Sequence, residues 1–112
     1  TCSLGSERAR ATIAPYSTSK GAVKMLTKAM CVEWAKFNIQ ANGIGPGYFA
    51  TEMNTALVNN PEFNAFVMSR TPAGRWGLVD ELKGAAVFLS APASDFVNGQ
   101  ILYVDGGVLA AM

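Results

Sequence analysis

Histidine is absent from this 112-residue sequence. That excludes triads built on an imidazole base, haem held by an axial histidine and most zinc-enzyme ligand sets. Cysteine is scarce: Cys2 and Cys31 are the only two, with no Cys-x-x-Cys spacing. A disulfide framework or a cysteine zinc site needs more, so both are read as free thiols in a reducing, cytoplasmic setting, and no metal is expected. Charge is sparse as well. Nine basic and eight acidic residues leave a net charge of +1, which gives no electrostatic reason to expect nucleic acid or an anionic membrane as a partner. Long apolar runs are missing, because charged residues interrupt each one short of a bilayer span; no transmembrane helix is expected. The opening Thr1-Cys2-Ser3-Leu4-Gly5 lacks the basic start and apolar stretch of a signal peptide. What remains is half hydrophobic, too apolar for disorder and enough for one domain at most.

Periodicity supplies the elements. Tyr16, Lys20, Val23, Thr27, Met30 and Trp34 recur on one helical stripe, with Leu26 and Phe37 widening its apolar side. This predicts a helix over residues 16–37, opened by Pro15, with Lys24, Lys28 and Glu33 facing solvent. Residues 39–44 alternate briefly and run into Gly45-Pro46-Gly47, a short strand entering a loop. Thr51 is placed to cap a short helix through Leu57, and Asn60-Pro61-Glu62 to start another through Val67. Residues 71–77 read as turns. A second clear helix spans 80–90, burying Leu82, Ala85, Ala86 and Leu89 and stopping before Pro92. Asn98-Gly99 is a turn, and Ile101–Val104 a strand closed by Asp105-Gly106-Gly107. Strands separated by helices imply parallel pairing. Two strands do not make a stable sheet, and so apolar a strand suits cover on both faces. The sequence therefore reads as part of a larger α/β domain.

Tyr16 and Lys20 stand four apart on one helical face. An ammonium near a phenol favours the phenolate and lowers the tyrosine's pKa, making proton transfer near neutral pH feasible. Ser3 lies thirteen residues before Tyr16, at the expected end of a strand, where its hydroxyl can hold a substrate oxygen. The bland alternative is a packed tyrosine beside a solvated lysine, and the pair alone does not exclude it.

The pair stands in an ordered series. It includes Ser3, then Tyr16-Ser17-Thr18-Ser19-Lys20-Gly21-Ala22, then Asn42-Gly43-Ile44-Gly45-Pro46-Gly47 with Thr51 beyond. Arg75-Trp76-Gly77, Asn98-Gly99-Gln100 and Val104-Asp105-Gly106-Gly107 follow. The series resembles the short-chain dehydrogenase/reductase family over essentially the whole chain. Three stretches, 13–16, 39–48 and 70–77, are similar to the members that act on gluconate and 5-keto-gluconate.

The resemblance implies an NAD- or NADP-dependent oxidoreductase of secondary alcohols and ketones, with a sugar acid as substrate. It makes Tyr16 the general acid/base. Lys20 assists it and holds the nicotinamide ribose, and Ser3 orients the substrate oxygen. Pro46, Gly47 and Thr51 match the segment lining the nicotinamide, with Phe49 where an aliphatic residue is frequent. Taken alone, Pro46-Gly47 is an ordinary loop. Asn42 supports backbone near the site, and Asp105-Gly106-Gly107 closes the last strand near the subunit interface of a homo-oligomer, tetramer or dimer. Glu7, Arg8 and Arg10 fall in a loop bordering the substrate pocket, where Arg8 or Arg10 can meet a carboxylate; a solvated surface is the plainer reading of either.

Leu78-Val79 replaces a frequent proline, which should alter only the start of the second helix. A Gly-rich phosphate loop is absent from these residues. The implied fold is the C-terminal part of one doubly wound, Rossmann-like parallel-sheet domain over residues 1–112, its nucleotide-binding half absent. Two other readings stay open: a truncated, non-catalytic fragment or association module, and an epimerase or double-bond reductase of the same broad family.

Overall fold

The computed structural model describes residues 1–111. Its longest element is helix α1, Ala14–Trp34, extended by a 3-10 turn over Ala35–Phe37. Pro15 sits in the first turn, where no intrahelical donor is needed. Asn38 ends the helix at φ 58°, a left-handed conformation that asparagine tolerates. The helix covers the range expected, but its apolar side is only partly used. Thr27 is buried, whereas Leu26 and Phe37 are 56% and 65% exposed. Periodicity marks an apolar face whether or not a neighbour is at hand. Here loop 1–10 and one short strand pair cover a single stripe, and Lys24 falls within it rather than in solvent.

That pair is β1, Gly43–Pro46, beside β4, Ile101–Val104, parallel and in register from Gly43↔Ile101 to Pro46↔Val104. A Cβ on Gly45 would lie 2.4 Å from the Tyr103 ring, so only glycine lets that side chain cross the strand. The strand expected over 39–44 begins later, at Gly43. Just before it, side chains join a thinned ladder in which Gly99 N still donates to Ala41 O at 2.9 Å. Asn98 Oδ1 accepts from Ala41 N at 2.8 Å, and Asn42 Oδ1 from Gln100 N at 3.0 Å. All four residues of β4 remain partly uncovered.

Beyond β1, strand β2, Phe49–Ala50, pairs in parallel with β3, Gly77–Leu78. Residues between them form a 3-10 turn over Glu52–Asn54, helix α2, Thr55–Val58, and helix α3, Pro61–Arg70. Thr51 occupies a cap position without a side-chain bond, so the short helix expected from it starts instead as a 3-10 turn. Asn60 does cap α3, its Oδ1 accepting from Phe63 N at 2.9 Å, and α3 runs on to Arg70. The segment after β3 opens with a 3-10 turn, Val79–Leu82, before α4, Lys83–Leu89. Ala85 of α4 is buried, but Ala86, also expected inside, is exposed because only one narrow side of this helix is covered.

These elements form part of an α/β, doubly wound parallel sheet. Cys2, Ala41, Phe49, Val67, Ala85 and Val108 make up its buried apolar set. The radius of gyration, 15.3 Å, exceeds the roughly 13 Å of a compact domain of about 100 residues. Among the described residues, no helix is long and apolar enough to cross a membrane.

Candidate active site

Ser3 has extended backbone, φ −165° and ψ 168°. Cys2 N donates to Ile44 O at 2.8 Å, which lays this segment along β1. The expected strand end is thus a single ladder-like bond. Ser3 then caps the 3-10 turn Leu4–Ser6, its Oγ accepting from Gly5 N at 3.2 Å. In return Ser6 Oγ accepts from Ser3 N at 3.2 Å, and donates to Lys20 O at 2.9 Å.

Helix α1 brings Tyr16 and Lys20 to this turn. Tyr16 Oη donates to Ser3 Oγ at 2.9 Å. The phenol ring rests against Gly5, where an added Cβ would stand 3.0 Å from Tyr16 Cε1. Lys20 Nζ donates to Thr1 O at 3.1 Å and lies 5.8 Å from the Tyr16 ring centroid. The structure therefore gathers Ser3, Tyr16 and Lys20, and leaves Tyr16 46% exposed, within reach of a bound molecule. A phenol, a neighbouring hydroxyl and an ammonium in this arrangement can hold one substrate oxygen and move a proton to or from it.

Pro46, Gly47, Phe49 and Thr51 lie on the segment leaving β1. The hydrogen bonds of Ser3, Tyr16 and Lys20 do not involve them. Gly47 N donates to Val104 O at 2.9 Å. Phe49 is buried, and its ring packs so closely on Gly77 that a Cβ there would be 2.7 Å from Phe49 Cε1. Its side chain serves the core between β2 and β3. Thr51 is half-buried, and its carbonyl accepts from Asn54 N at 2.9 Å.

Glu7, Lys24 and Tyr103 hold the Ser3 turn in a way the sequence does not indicate: it sets Glu7 in a loop bordering the substrate pocket and Lys24 in solvent. Glu7, at the turn's far end, forms an ion pair with Lys24 of α1 and accepts from Tyr103 Oη of β4 at 2.7 Å. The Lys24 bond, then the Tyr103 bond, hold the Glu7 carboxyl below the ordinary carboxylate range. Burial, then the Glu7 carboxylate, push the Tyr103 phenol well above its usual range. Lys24 is the fourth residue after Lys20, so the spacing that paired Tyr16 with Lys20 was the available signal.

Of the loop arginines, Arg8 is engaged: its Nη2 donates to Leu109 O at 3.1 Å and Ala111 O at 2.8 Å. Arg10 lies over the Phe63 ring, 5.9 Å from its centroid. Phe63 belongs to an aromatic group with Tyr48, Phe66 and Trp76. Asn42 braces the strand pair, its Nδ2 donating to Val97 O at 2.6 Å. Asp105 closes β4, its oxygens accepting from Gly107 N and Leu109 N, each at 2.9 Å. Cys2 and Cys31 are both free thiols.

Comparison with known proteins bears on this arrangement. A family model described as enoyl-(acyl carrier protein) reductase matches residues 1–109. The 5-keto-D-gluconate 5-reductase of Escherichia coli strain K12 is 64% identical over 111 residues, 99% of this chain and 44% of the relative. Gluconate 5-dehydrogenase of Gluconobacter oxydans is 59% identical, over 99% of this chain and 43% of the relative. A gluconate 5-dehydrogenase from Burkholderia cenocepacia, solved in complex with NADP and tartrate, superposes with a TM-score of 0.96 at 63% identity, over 99% of this chain and 44% of that one. The chain thus spans less than half the length of the relatives it matches.

Proposed function

Because the chain belongs to the short-chain dehydrogenase/reductase family, we propose that it is the C-terminal, catalytic part of a single-domain NAD(P)-dependent oxidoreductase of secondary alcohols and ketones. Gluconate and 5-keto-gluconate are its proposed substrates. The observation that carries this reading is the contact of Tyr16 Oη with Ser3 Oγ at 2.9 Å, with the Lys20 ammonium beside the ring.

The residues present fit one end of the nucleotide. Lys20 has three donors, and Thr1 O takes one of them. The others suit ribose hydroxyls, and the main chain of Pro46, Gly47, Phe49 and Thr51 is the proposed wall for the nicotinamide. No Gly-rich turn here offers backbone donors to a diphosphate. NAD or NADP, when bound, takes up or supplies the hydride. The chain's residues manage the oxygen. In alcohol oxidation the Ser3 hydroxyl holds the substrate oxygen and the Tyr16 phenolate accepts the hydroxyl proton, with the Lys20 ammonium beside the ring. Ketone reduction runs the same proton back from Tyr16.

The sugar-acid reading rests on the relatives, one of them solved in complex with NADP and tartrate, itself a hydroxy acid. It also fits Arg10, which among the described residues has no ion pair or hydrogen bond. Arg8 is held by main-chain carbonyls, so Arg10 is the proposed partner of the substrate carboxylate. A homo-oligomer is proposed for the complete protein.

Two observations favour other readings. The family model's description names double-bond reduction. The exposed Met25, Leu26, Val32 and Phe37 of the long helix suit an association module. The test is an NAD(P)H absorbance assay on a chimera placing this chain behind the N-terminal part of the Escherichia coli relative. Turnover of gluconate or 5-keto-gluconate supports the proposal. A folded chimera inert to both, with either nucleotide, rejects it, and product analysis separates carbonyl from double-bond reduction.

A further inference from the structure

We propose that Glu7 is a positioning residue, fixing the turn that sets Ser3 Oγ against the Tyr16 hydroxyl; this rests on reading that pair as the proton-transfer site. Ser3 and Glu7 flank one turn, in which Ser6 N donates to Ser3 O and Glu7 N to Leu4 O, both at 3.0 Å. The turn meets α1 at three successive helical turns. Ser3 Oγ meets the Tyr16 hydroxyl, Ser6 Oγ meets the Lys20 carbonyl, and the Glu7 carboxylate meets the Lys24 ammonium.

Only the last of these contacts is ionic. Charge-assisted hydrogen bonds are roughly twice as strong as neutral ones. The same carboxylate also accepts from Tyr103 Oη of β4, whose ring crosses β1 at Gly45. Glu7 therefore ties the turn to the helix and to the sheet at one point. Lys28, more distant on α1, adds a further positive charge towards it. A three-residue 3-10 turn has little rigidity of its own. A reactive arrangement must be held to within about 0.5 Å, so its outside anchors matter. The side chains of Lys24 and Glu7 are 27% and 31% exposed, so the pair is partly screened and acts through geometry more than through stability.

The test compares variants of the chimera described above. Glu7→Gln keeps an acceptor for Tyr103 but removes the charge. It and Lys24→Met should each lower kcat about tenfold while KM for substrate and nucleotide stays within about twofold. The exchanged pair, Glu7→Lys with Lys24→Glu, should recover most of the lost kcat. A Glu7→Gln enzyme with unchanged kcat overturns the proposal. So does a loss that follows KM and Tm in parallel and is not recovered by the exchange. If the parent chimera turns over no substrate, the functional reading falls and a crystal structure of the Glu7→Gln protein decides this one. Loss of the Ser3–Tyr16 hydrogen bond there supports positioning by Glu7, and an intact bond overturns it.

Discussion

A Cβ added to Gly47 would stand 2.6 Å from Asp105 Cα, so the chain leaving β1 and the chain leaving β4 touch main chain to main chain. Neither side is a flexible side-chain end that can yield. Gly47→Ala in the full-length chimera should cost about 1–3 kcal/mol by overpacking, read as a lowered denaturation midpoint. Gly84 of α4 is the contrast: a Cβ there meets nothing within 4 Å. Gly84→Ala should stabilise by up to about 1 kcal/mol through helix propensity. Equal effects of the two would refute the close contact.

Tyr16→Phe in the same chimera removes the proton donor and keeps the ring that packs on Gly5. Turnover should fall by about two to four orders of magnitude with unchanged circular dichroism. A folded variant that keeps substantial activity would remove Tyr16 from the chemistry.

Lys20→Met should lower turnover and also weaken NAD(P) binding, because the ammonium serves the phenol and the ribose in the proposed site. Lys20→Arg should restore only part of either, since a planar guanidinium does not replace a compact ammonium. Steady-state kinetics with fluorescence titration of the nucleotide checks both. Unaltered values in the Met variant would return Lys20 to the role of a surface lysine.

Arg75 grips Glu81 in two parallel bonds of 2.8 and 2.6 Å, and Leu78 N adds a third at 2.7 Å. Arg75 first, then the Leu78 amide, hold the Glu81 carboxyl down to about 2. A carboxyl lowered below its unfolded value of about 4.3 favours the fold above that pH and loses the contribution as pH falls towards 2. An NMR titration should place the Glu81 midpoint near the low value, with Arg75→Met moving it up. A midpoint that the substitution leaves unmoved would show that the clamp does not form in solution.

By itself, the 112-residue polypeptide should neither bind NAD(P) usefully nor oxidise gluconate, because it carries no diphosphate loop. Its uncovered faces, including Leu26, Phe37, Val87 and Phe88, should drive association. Titration calorimetry and light scattering on one sample test the two parts together. Tight nucleotide binding by a monodisperse monomer would contradict both.

Legibility followed the range of the interactions. The spacing of Tyr16 and Lys20, the extent of α1 and the bounds of β4 rest on local pattern, and the structure places them as read. Helical spacing sets Lys24 one turn beyond Lys20, but its partner Glu7 stands 17 positions away and Tyr103 meets Glu7 across 96, distances that local spacing does not reach. β1 starts later than the alternation of 39–44 indicates, because just before Gly43 the side chains of Asn42 and Asn98 share the pairing with a single main-chain bond, Gly99 N to Ala41 O. Leu26, Phe37 and Ala86 were read as inward because amphipathicity records which face seeks cover, not whether cover is present.

The pairing of β1 with β4 carries a consequence for how the chain acquires its shape. Asn42 and Gln100, which bond at the mouth of that pair, are 58 positions apart. The hydrogen bonds within α1 are local, and a helix of this length forms in about a microsecond. Joining β1 to β4 requires closing the long intervening segment first, and that entropy is lost before any ladder bond compensates for it. The helix that carries Tyr16 and Lys20 therefore forms early, and the strands close late, with the Asn42 and Asn98 amides fastening the loop ends.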